Sequence, residues 1–349
     1  MGISQTFPHA SASGEDGIRP VNLRTDLGAL ADLIEIAFAD SMDSNGRAAV
    51  REMRALSHMG RLTSVLSTSS DLVQGMGMGY VWIDQGRVIG NVSIYPAALP
   101  DGAAKWYGGT VWLIANVATH PDYRGRGIAR QLMETSLRAI QTRGRHGKAI
   151  ALLQVEERNH VARALYESLG FKTERVWNHW RRSSMTRFAS VPADPNIYIT
   201  QRRPSEWQAE YALAQKVRPA EKGGVGWLRP TFTGLFRPSL TRMFRDFINL
   251  RSVEHIVIRD SEAELSAALW IENALAASAI HLTLMVDPDY LGLYDDALIA
   301  YSARRLGMKG ALSIEHPADE QVTNALLSRY HFVIQRTFVN MRWDTDFIP

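Results

Sequence analysis

The sequence predicts an α/β protein built from two tandem copies of one pattern, each a mixed central sheet flanked by helices. Short apolar runs typical of strands alternate with stretches of amphipathic helical periodicity, and landmarks of the first half return in the second. The chain has 349 residues, of which 46% are hydrophobic and 21% are charged. This length and composition are typical of a globular protein with two domains.

In the first half, apolar residues spaced as on one helix face (Leu30, Leu33, Ile34, Ala37 and Phe38) predict an amphipathic helix. The other elements predicted there are a strand at 18–23, a helix at 47–56, strands at 80–84 and 87–95 around a Gln85–Gly86 turn, a buried strand at 111–119, a helix at 128–142, a strand at 149–155, a helix at 160–169 and a strand at 175–181.

The domain boundaries follow from composition. Residues 1–16 are polar, small and without periodicity, and are expected to form a disordered leader. The first domain is predicted at 17–188, a proline-containing linker at 189–196 and the second domain at 197–349. Within the second domain, residues 218–240 are predicted to be a long Gly/Pro-rich loop with exposed aromatic residues, either functional or disordered.

The internal repeat is visible in ordered landmarks. Residues 117–125 match residues 284–292, which lie 167 positions later, through the same Pro-Asp-Tyr and a following glycine. Residues 161–165 match 322–326, and Phe171 matches Phe332 at the same spacing of 161. Coincidence between two amphipathic patterns does not explain proline, tyrosine, glycine and phenylalanine recurring in one order.

Composition excludes several classes of site. The chain has no cysteine, so disulfides, thiolate metal sites and a cysteine nucleophile are excluded. A formal net charge of +3 is too small to indicate nucleic-acid binding. No apolar run reaches the length of a membrane span, and the first residues lack the layout of a secretory signal. We therefore expect no metal, nucleic-acid or membrane partner, and a cytoplasmic location.

The motif most suggestive of chemistry is the glycine-rich segment 120–129, between the predicted buried strand and helix. Glycines let the backbone approach a ligand closely, and the free N–H groups at a helix start attract anions. Residues 124–148 carry seven basic side chains and one acid, Glu134, which suits a ligand with several phosphates. A glycine-rich turn beside a solvated basic helix face is the alternative. The segment is neither a P-loop nor a dinucleotide fingerprint.

These residues resemble the GNAT N-acetyltransferase superfamily. The hallmark Arg/Gln-x-x-Gly-x-Gly/Ala of that family stands here at 124–129, and a second family element stands at 159–171. The resemblance extends over about residues 17–185 and, less closely, 197–343. It implies two tandem GNAT-like domains, the second degenerate, with acetyl-CoA as the co-substrate.

The resemblance also implies site residues. Backbone groups of Val117, Ala118 and Thr119 would pair with the pantetheine arm. Tyr166 would protonate the departing CoA thiolate, or else it merely packs, and Asn159 would contact the cofactor near its thioester end. The segment expected to hold the pyrophosphate consists of Arg124, Gly125, Arg126, Gly127, Ile128, Ala129 and Arg130.

A general base is not identifiable. Many family members carry a carboxylate on the central strand, where this chain has Ala115 and Asn116. Deprotonation of the amine could use water, a backbone carbonyl or a residue from elsewhere. His120 is a less favoured candidate, because a residue in this position commonly shapes the turn.

The second copy lacks the side chains that the chemistry needs. At the repeat spacing, Ile128 and Ala129 become Asp295 and Asp296, which would repel a pyrophosphate. The other replacements are Arg124 by Leu291, Arg126 by Leu293, Gly127 by Tyr294, Asn159 by Glu320 and Tyr166 by Leu327. We expect a non-catalytic second domain that completes the acceptor cleft or stabilises the first.

The function that the sequence favours is transfer of an acetyl group from acetyl-CoA to a primary amine of a small molecule or peptide. The alternative is a non-catalytic acyl-CoA-binding regulatory module, which the missing strand carboxylate favours. Nothing in the sequence specifies the acceptor, the length of the acyl group or the oligomeric state.

Overall fold

A computed structural model describes residues 16–39, 42, 44–58, 78–144, 148–186, 194, 196–275 and 277–345. The predicted leader lies outside these residues apart from Asp16, as does the predicted linker apart from Asp194 and Asn196. The chain forms two compact units. The first comprises 1–97, 109–153 and 343–349, and the second comprises 98–108 and 154–342.

The helices and strands follow one another in an order that repeats. The helices are α1 (Leu23–Ala37), α2 (Ser44–His58), α3 (Ala103–Tyr107), α4 (Ile128–Thr142), α5 (His160–Ser168), α6 (Trp207–Val217), α7 (Thr233–Phe236), α8 (Leu240–Ile248), α9 (Tyr294–Leu306) and α10 (Gln321–Arg329). The strands are β1 (Gly17–Pro20), β2 (Gly79–Asp84), β3 (Arg87–Pro96), β4 (Thr110–Thr119), β5 (Ala149–Glu156), β6 (Lys172–Arg182), β7 (Ile199–Gln201), β8 (Arg251–Arg259), β9 (Leu265–Ala274), β10 (Ile280–Val286), β11 (Leu312–Pro317) and β12 (Val333–Asp344).

The first unit is a mixed sheet with helices on both faces. Strands β1 to β4 are antiparallel neighbours, and β4 then pairs in parallel with β5. Val81 and Ile83 pack against α1 and α2. On the other face, Gly90 lets α4 approach, because a Cβ there would lie 2.8 Å from Ile128 and 2.9 Å from Leu132. Side chains that alternate along the strands thus pack against helices on both faces of the sheet.

The second unit repeats this plan. Its sheet has the order β12-β6-β11-β10-β9-β8-β7, in which β10 and β11 are the parallel pair. Trp270 and Met285 pack with α6 and α7, whereas Leu269 and Leu284 face the core that includes residues of α9 and α10. The observed mixed sheets flanked by helices confirm the predicted fold class.

Strand β6 has two neighbours that come from the second half of the sequence. It pairs antiparallel with β11, and on its other edge with β12, where Trp177 lies opposite Phe338. The terminal strands of the two copies therefore meet in one sheet.

Residues 218–240 differ from the sequence prediction. Phe232 and Phe236 are buried rather than exposed, and they pack with Trp270 in a hydrophobic core. The segment contains α7 and the first residue of α8, and it is an ordered part of the second unit. Among the described residues, no helix is long and apolar enough to cross a membrane.

Candidate active site

Strand β4 is distorted where the cofactor-binding backbone is predicted. Its pairing with β5 stops at Leu113 opposite Leu152, although β4 continues to Thr119. The register with β3 shifts between Asn91 and Ser93, and Asn116 adopts a left-handed φ of 52°. Buried Asn91 donates its Nδ2 to the carbonyl of Asn116 at 2.9 Å and so holds this bulge. Bulges of this kind are common beside active sites.

The glycine loop joins β4 to α4 and presents backbone amides. Gly125 and Gly127 have φ of 78° and 77°, which side chains other than glycine adopt only with strain. Gly127 is the N-cap of α4 and makes no side-chain cap hydrogen bond. The first amides of a helix have no intrahelical partner, and together with the helix dipole they favour an anion. The loop is therefore built as an anion-binding turn.

Side chains around the loop mainly hold its shape. His120 accepts a hydrogen bond through Nδ1 from the N–H of Asp122 at 3.3 Å, so it caps the short turn at 121–123. Arg126 donates to the carbonyl of Asp122 at 3.1 Å and lies over the ring of Tyr123 at 4.8 Å. Arg124 donates to the carbonyl of Ala37 at 3.3 Å. These contacts favour the turn-shaping role of His120 over that of a base.

A cavity of about 430 Å³ lies between the β2–β3 turn and this loop. Its lining consists of Asp84, Gln85, Arg87, Val88, Ile89, His120, Asp122, Tyr123 and Arg126. Of the basic residues predicted to cluster around the loop, Arg145 alone lies outside the part of the chain that the structure describes.

Helix α5, in the second unit, carries the two remaining predicted site residues. Asn159 is its N-cap and accepts a hydrogen bond through Oδ1 from the N–H of Ala162 at 3.1 Å. Tyr166 is only 6% exposed, and its ring lies 5.9 Å from that of Phe171. Burial raises the pKa of the Tyr166 phenol, so the side chain is protonated at neutral pH.

The candidate site has no base in the positions where the family commonly has one. Ala115 has no ionisable group, and the amide of Asn116 contacts Ser93 Oγ at 3.4 Å. Within the described parts of the chain, no group of three or more histidine or carboxylate side chains could hold a metal ion.

In the second copy the corresponding loop is closed by its own side chain. Gly292, which corresponds to Gly125, donates its N–H to Asp295 Oδ1 at 2.6 Å, and the N–H of Asp296 donates to the same atom at 3.0 Å. Thr323 donates to the other oxygen at 2.7 Å, and Asp295 is fully buried. The Asp295 carboxylate thus accepts hydrogen bonds from loop amides whose counterparts in the first copy have no side-chain cap.

The gap between β10 and β11 is also filled. These strands pair only from Ile280 to Leu282, and Arg218 then donates its Nη2 to the carbonyl of Leu284 at 3.1 Å. Arg218 is 2% exposed and forms a two-point ion pair with Glu320, in which Nη2 lies 2.8 Å from Oε2. We call Arg218 and Glu320 the ion-pair plug.

The plug occupies positions that carry predicted cofactor contacts in the first copy. Leu284 corresponds to Val117, and Glu320 corresponds to Asn159. Burial would raise the pKa of Glu320, but Arg218 and His316 outweigh burial and hold that pKa well below its ordinary value. The carboxylate is therefore charged at neutral pH. Sequence reasoning missed Arg218, because its partner lies 102 residues away.

Comparison with protein families matches residues 54–171 to the model described as the acetyltransferase (GNAT) family. Among curated proteins, the [ribosomal protein bS18]-alanine N-acetyltransferase of Salmonella typhimurium is 44% identical over 57 residues. The enzyme of the same name from Escherichia coli K12 is 43% identical over 56 residues. Each match covers 16% of this chain, and it spans only about a third, 36%, of the relative's length.

Two solved structures share the fold. A GCN5-related N-acetyltransferase from Sphaerobacter thermophilus is 16% identical with a TM-score of 0.57, and the match covers 94% of this chain and 95% of that one. A GCN5-related glucosamine N-acetyltransferase region of a fungal multi-domain β-N-acetylglucosaminidase is 12% identical with a TM-score of 0.55. That match covers 96% of this chain and 39% of that one.

Proposed function

We propose that this chain, which carries a GNAT-family acetyltransferase domain at residues 54–171, moves an acetyl group from acetyl-CoA to a primary amine of a small molecule or peptide. The observation that carries the proposal is the turn at Gly125 and Gly127, which presents uncapped amides at the start of α4. Such a turn suits the pyrophosphate of CoA. The end of the β4–β5 pairing at Leu113 supports it, since the backbone beyond is then available to a pantetheine arm.

In the proposed reaction the amine nitrogen attacks the thioester carbonyl, the carbon–sulfur bond breaks and the amine nitrogen loses a proton to water, and solvent later returns a proton to Tyr166. Tyr166 donates its phenolic proton to the departing thiolate, which makes the thiolate a better leaving group. Val117, Ala118 and Thr119 bind the pantetheine through their backbone, and the segment from Arg124 to Arg130 holds the pyrophosphate. Asn159 contacts the cofactor near the thioester. No side chain is assigned as base.

In this proposal the domain at 17–188 is catalytic and the domain at 197–349 is not. The ion-pair plug and the Asp295 carboxylate support a non-catalytic second domain. Arg218 binds the carbonyl of Leu284 and Asp295 accepts from the N–H of Gly292, and a CoA molecule would need both of these backbone groups. Since the matched bacterial relatives are named for acetylating an alanine of a ribosomal protein, a peptide amine belongs among the candidate acceptors. We propose a cytoplasmic location on the same basis.

A non-catalytic acyl-CoA-binding module is the second candidate, and the absence of a carboxylate at Ala115 and Asn116 favours it. Incubation of the full chain with acetyl-CoA and a panel of primary amines, including a peptide with an N-terminal alanine, distinguishes the two. The readout is amine-dependent release of free thiol. An acetyltransferase releases thiol with at least one amine. Binding of acetyl-CoA without release for any amine would favour the module.

A further inference from the structure

Helix α8, in the second unit, presents an apolar face to solvent. Apolar side chains recur along it with the spacing of a single helix face, and they are 61–83% exposed. These side chains are Leu240, Met243, Phe244, Phe247 and Ile248. An amphipathic helix at the surface of a globular protein ordinarily packs its apolar face against the core. Helix α8 has the opposite orientation.

The polar face of α8 is fixed to its own unit. Arg242 donates its Nη1 to the carbonyl of Leu235 at 2.8 Å. One turn further along, Arg245 forms an ion pair with Asp101 at 3.1 Å. Turning the apolar face inward would break both contacts, so the structure holds this face outward.

Two leucines extend the apolar face beyond the end of α8. The N–H of Leu250 donates to the carbonyl of Phe247 at 3.1 Å, and the N–H of Leu275 donates to the carbonyl of Leu250 at 3.3 Å. Both leucine side chains are exposed. We call the five apolar residues of α8, together with Leu250 and Leu275, the apolar patch.

The apolar patch is large enough to be an interface. At the areas that leucine, isoleucine, methionine and phenylalanine side chains bury, its exposed fractions amount to on the order of 700 Å². The largest apolar patch of a typical monomer is about 300–600 Å². Two such patches in contact would bury about 1,400 Å², within the range of about 1,200–2,000 Å² for specific, stable interfaces.

The charges around the patch favour a second protein surface over a lipid surface. Arg245 is paired with Asp101, and Arg251 is paired with Glu272 at 2.6 Å. Anionic lipid headgroups attract clusters of about four to eight basic side chains. Because carboxylates neutralise these two arginines, the rim of the patch is not such a cluster.

The position of Arg237 suits a second copy of this chain. Its side chain is exposed, no carboxylate among the described residues pairs with it, and it lies two residues before Ser239, the N-cap of α8. About a two-fold axis perpendicular to α8, the helices of two copies run antiparallel. Arg237 of each copy then lies beside the last turn of the other α8, where the helix carbonyls carry partial negative charge.

We propose that the apolar patch is a dimerisation surface, at which two copies of this chain associate through antiparallel α8 helices about a two-fold axis. Phe244, at the middle of α8, lies at the axis and faces its own counterpart. Phe247 packs towards Leu240 of the other copy. The proposal concerns an interaction surface and does not depend on acetyl transfer.

The mass of the full-length protein in solution tests the proposal. At about 10 µM, light scattering after size-exclusion chromatography should give twice the 39.0 kDa of one chain. Phe247→Glu should raise the dissociation constant of the dimer about 100-fold or more, because an unpaired carboxylate is then buried in each half of the interface. Tyr198→Glu, at an exposed residue beside the far end of β8, should leave the dimer intact. Circular dichroism shows whether each variant is folded.

A crosslink tests the antiparallel arrangement. The chain has no cysteine, so Phe244→Cys carries a single thiol. A short bifunctional maleimide should join two copies of Phe244→Cys and should not join two copies of Tyr198→Cys. The reverse result would overturn the arrangement.

Three results would overturn the dimerisation surface. The first is a monomer at every concentration tested, and the second is a dimer that Phe247→Glu leaves unchanged. The third is a monomer that binds phosphatidylglycerol vesicles and loses this binding in Phe247→Glu, since the apolar patch would then be a lipid-binding surface.

Discussion

At the scale of single residues, the proposed chemistry depends on Tyr166. Its phenol is buried and its pKa is raised, so it stays protonated until the thiolate departs. Tyr166→Phe should lower kcat by about 10²–10⁴-fold, because a proton donor acts in the transition state, while the KM for acetyl-CoA changes little. Steady-state kinetics with the best amine of the panel checks this. Tyr198→Phe, at an exposed tyrosine of the same unit, is the control. Unchanged kcat in Tyr166→Phe would remove this residue from the mechanism.

Asn159 has a structural role that must be separated from its proposed role in binding. Its Oδ1 caps α5, so Asn159→Ala should lower the free energy of unfolding by about 1 kcal/mol. Asp is an equally good cap, so Asn159→Asp should keep that stability but weaken acetyl-CoA binding, because the Nδ2 donor is lost. Chemical unfolding and calorimetry measure the two effects. If Asn159→Asp binds acetyl-CoA as the unaltered chain does, the residue is a cap only.

At the scale of elements, the ion-pair plug predicts a dependence of stability on pH. The folded pKa of Glu320 is depressed below its ordinary value of 4.5. Its contribution to stability is therefore complete above about pH 4.5 and is lost as the pH falls through the folded pKa. Glu320→Gln should cost about 3–5 kcal/mol at pH 7, because Arg218 is left buried without its counter-charge.

Unfolding by denaturant, repeated at intervals of about one pH unit between pH 3 and pH 7, measures this dependence. The decrease below pH 4.5 should be smaller in Glu320→Gln than in the unaltered chain. Glu262→Gln, at an exposed carboxylate, should leave both the stability and its slope unchanged. Equal slopes for Glu320→Gln and the unaltered chain would show that the plug does not titrate as described.

Elements were predictable from the sequence where local signals determine them. The helix at 128–142 has the observed bounds of α4, because a glycine precedes its apolar stripe and another follows it closely. Helix α3 was missed, since five residues between Gly102 and Gly108 hold no periodicity. Packing of Phe232 and Phe236 depends on Trp270, further along the chain, whereas Arg218 and strand β6 have partners more than a hundred residues away. Such contacts leave no local pattern.

At the scale of the whole molecule, the two copies depend on each other through β6. A chain ending near residue 188 would lack β11 and β12, which are both neighbours of β6. Trp177 and Trp180 would lose their cover, and each contributes on the order of 1.5–3 kcal/mol when buried. We expect this truncated chain to be insoluble or inactive on the acceptor.

A chain ending at Thr345 keeps β12 and is the control for this truncation. Solubility, size-exclusion chromatography and thiol release compare the two chains. A soluble, monomeric and fully active chain ending near 188 would show that the first copy is independent of the second.

Acetyl-CoA binding tests most directly the central claim that the chain has one working site and one silent copy. Gly125 and Gly292 occupy the same turn in the two copies, with φ of 78° and 87°. Aspartate at either glycine costs a similar strain, roughly 1 kcal/mol. Calorimetric titration of the full chain should give one acetyl-CoA per chain, abolished by Gly125→Asp and unchanged in Gly292→Asp. Two sites per chain, or binding that survives Gly125→Asp but is lost in Gly292→Asp, would contradict the claim.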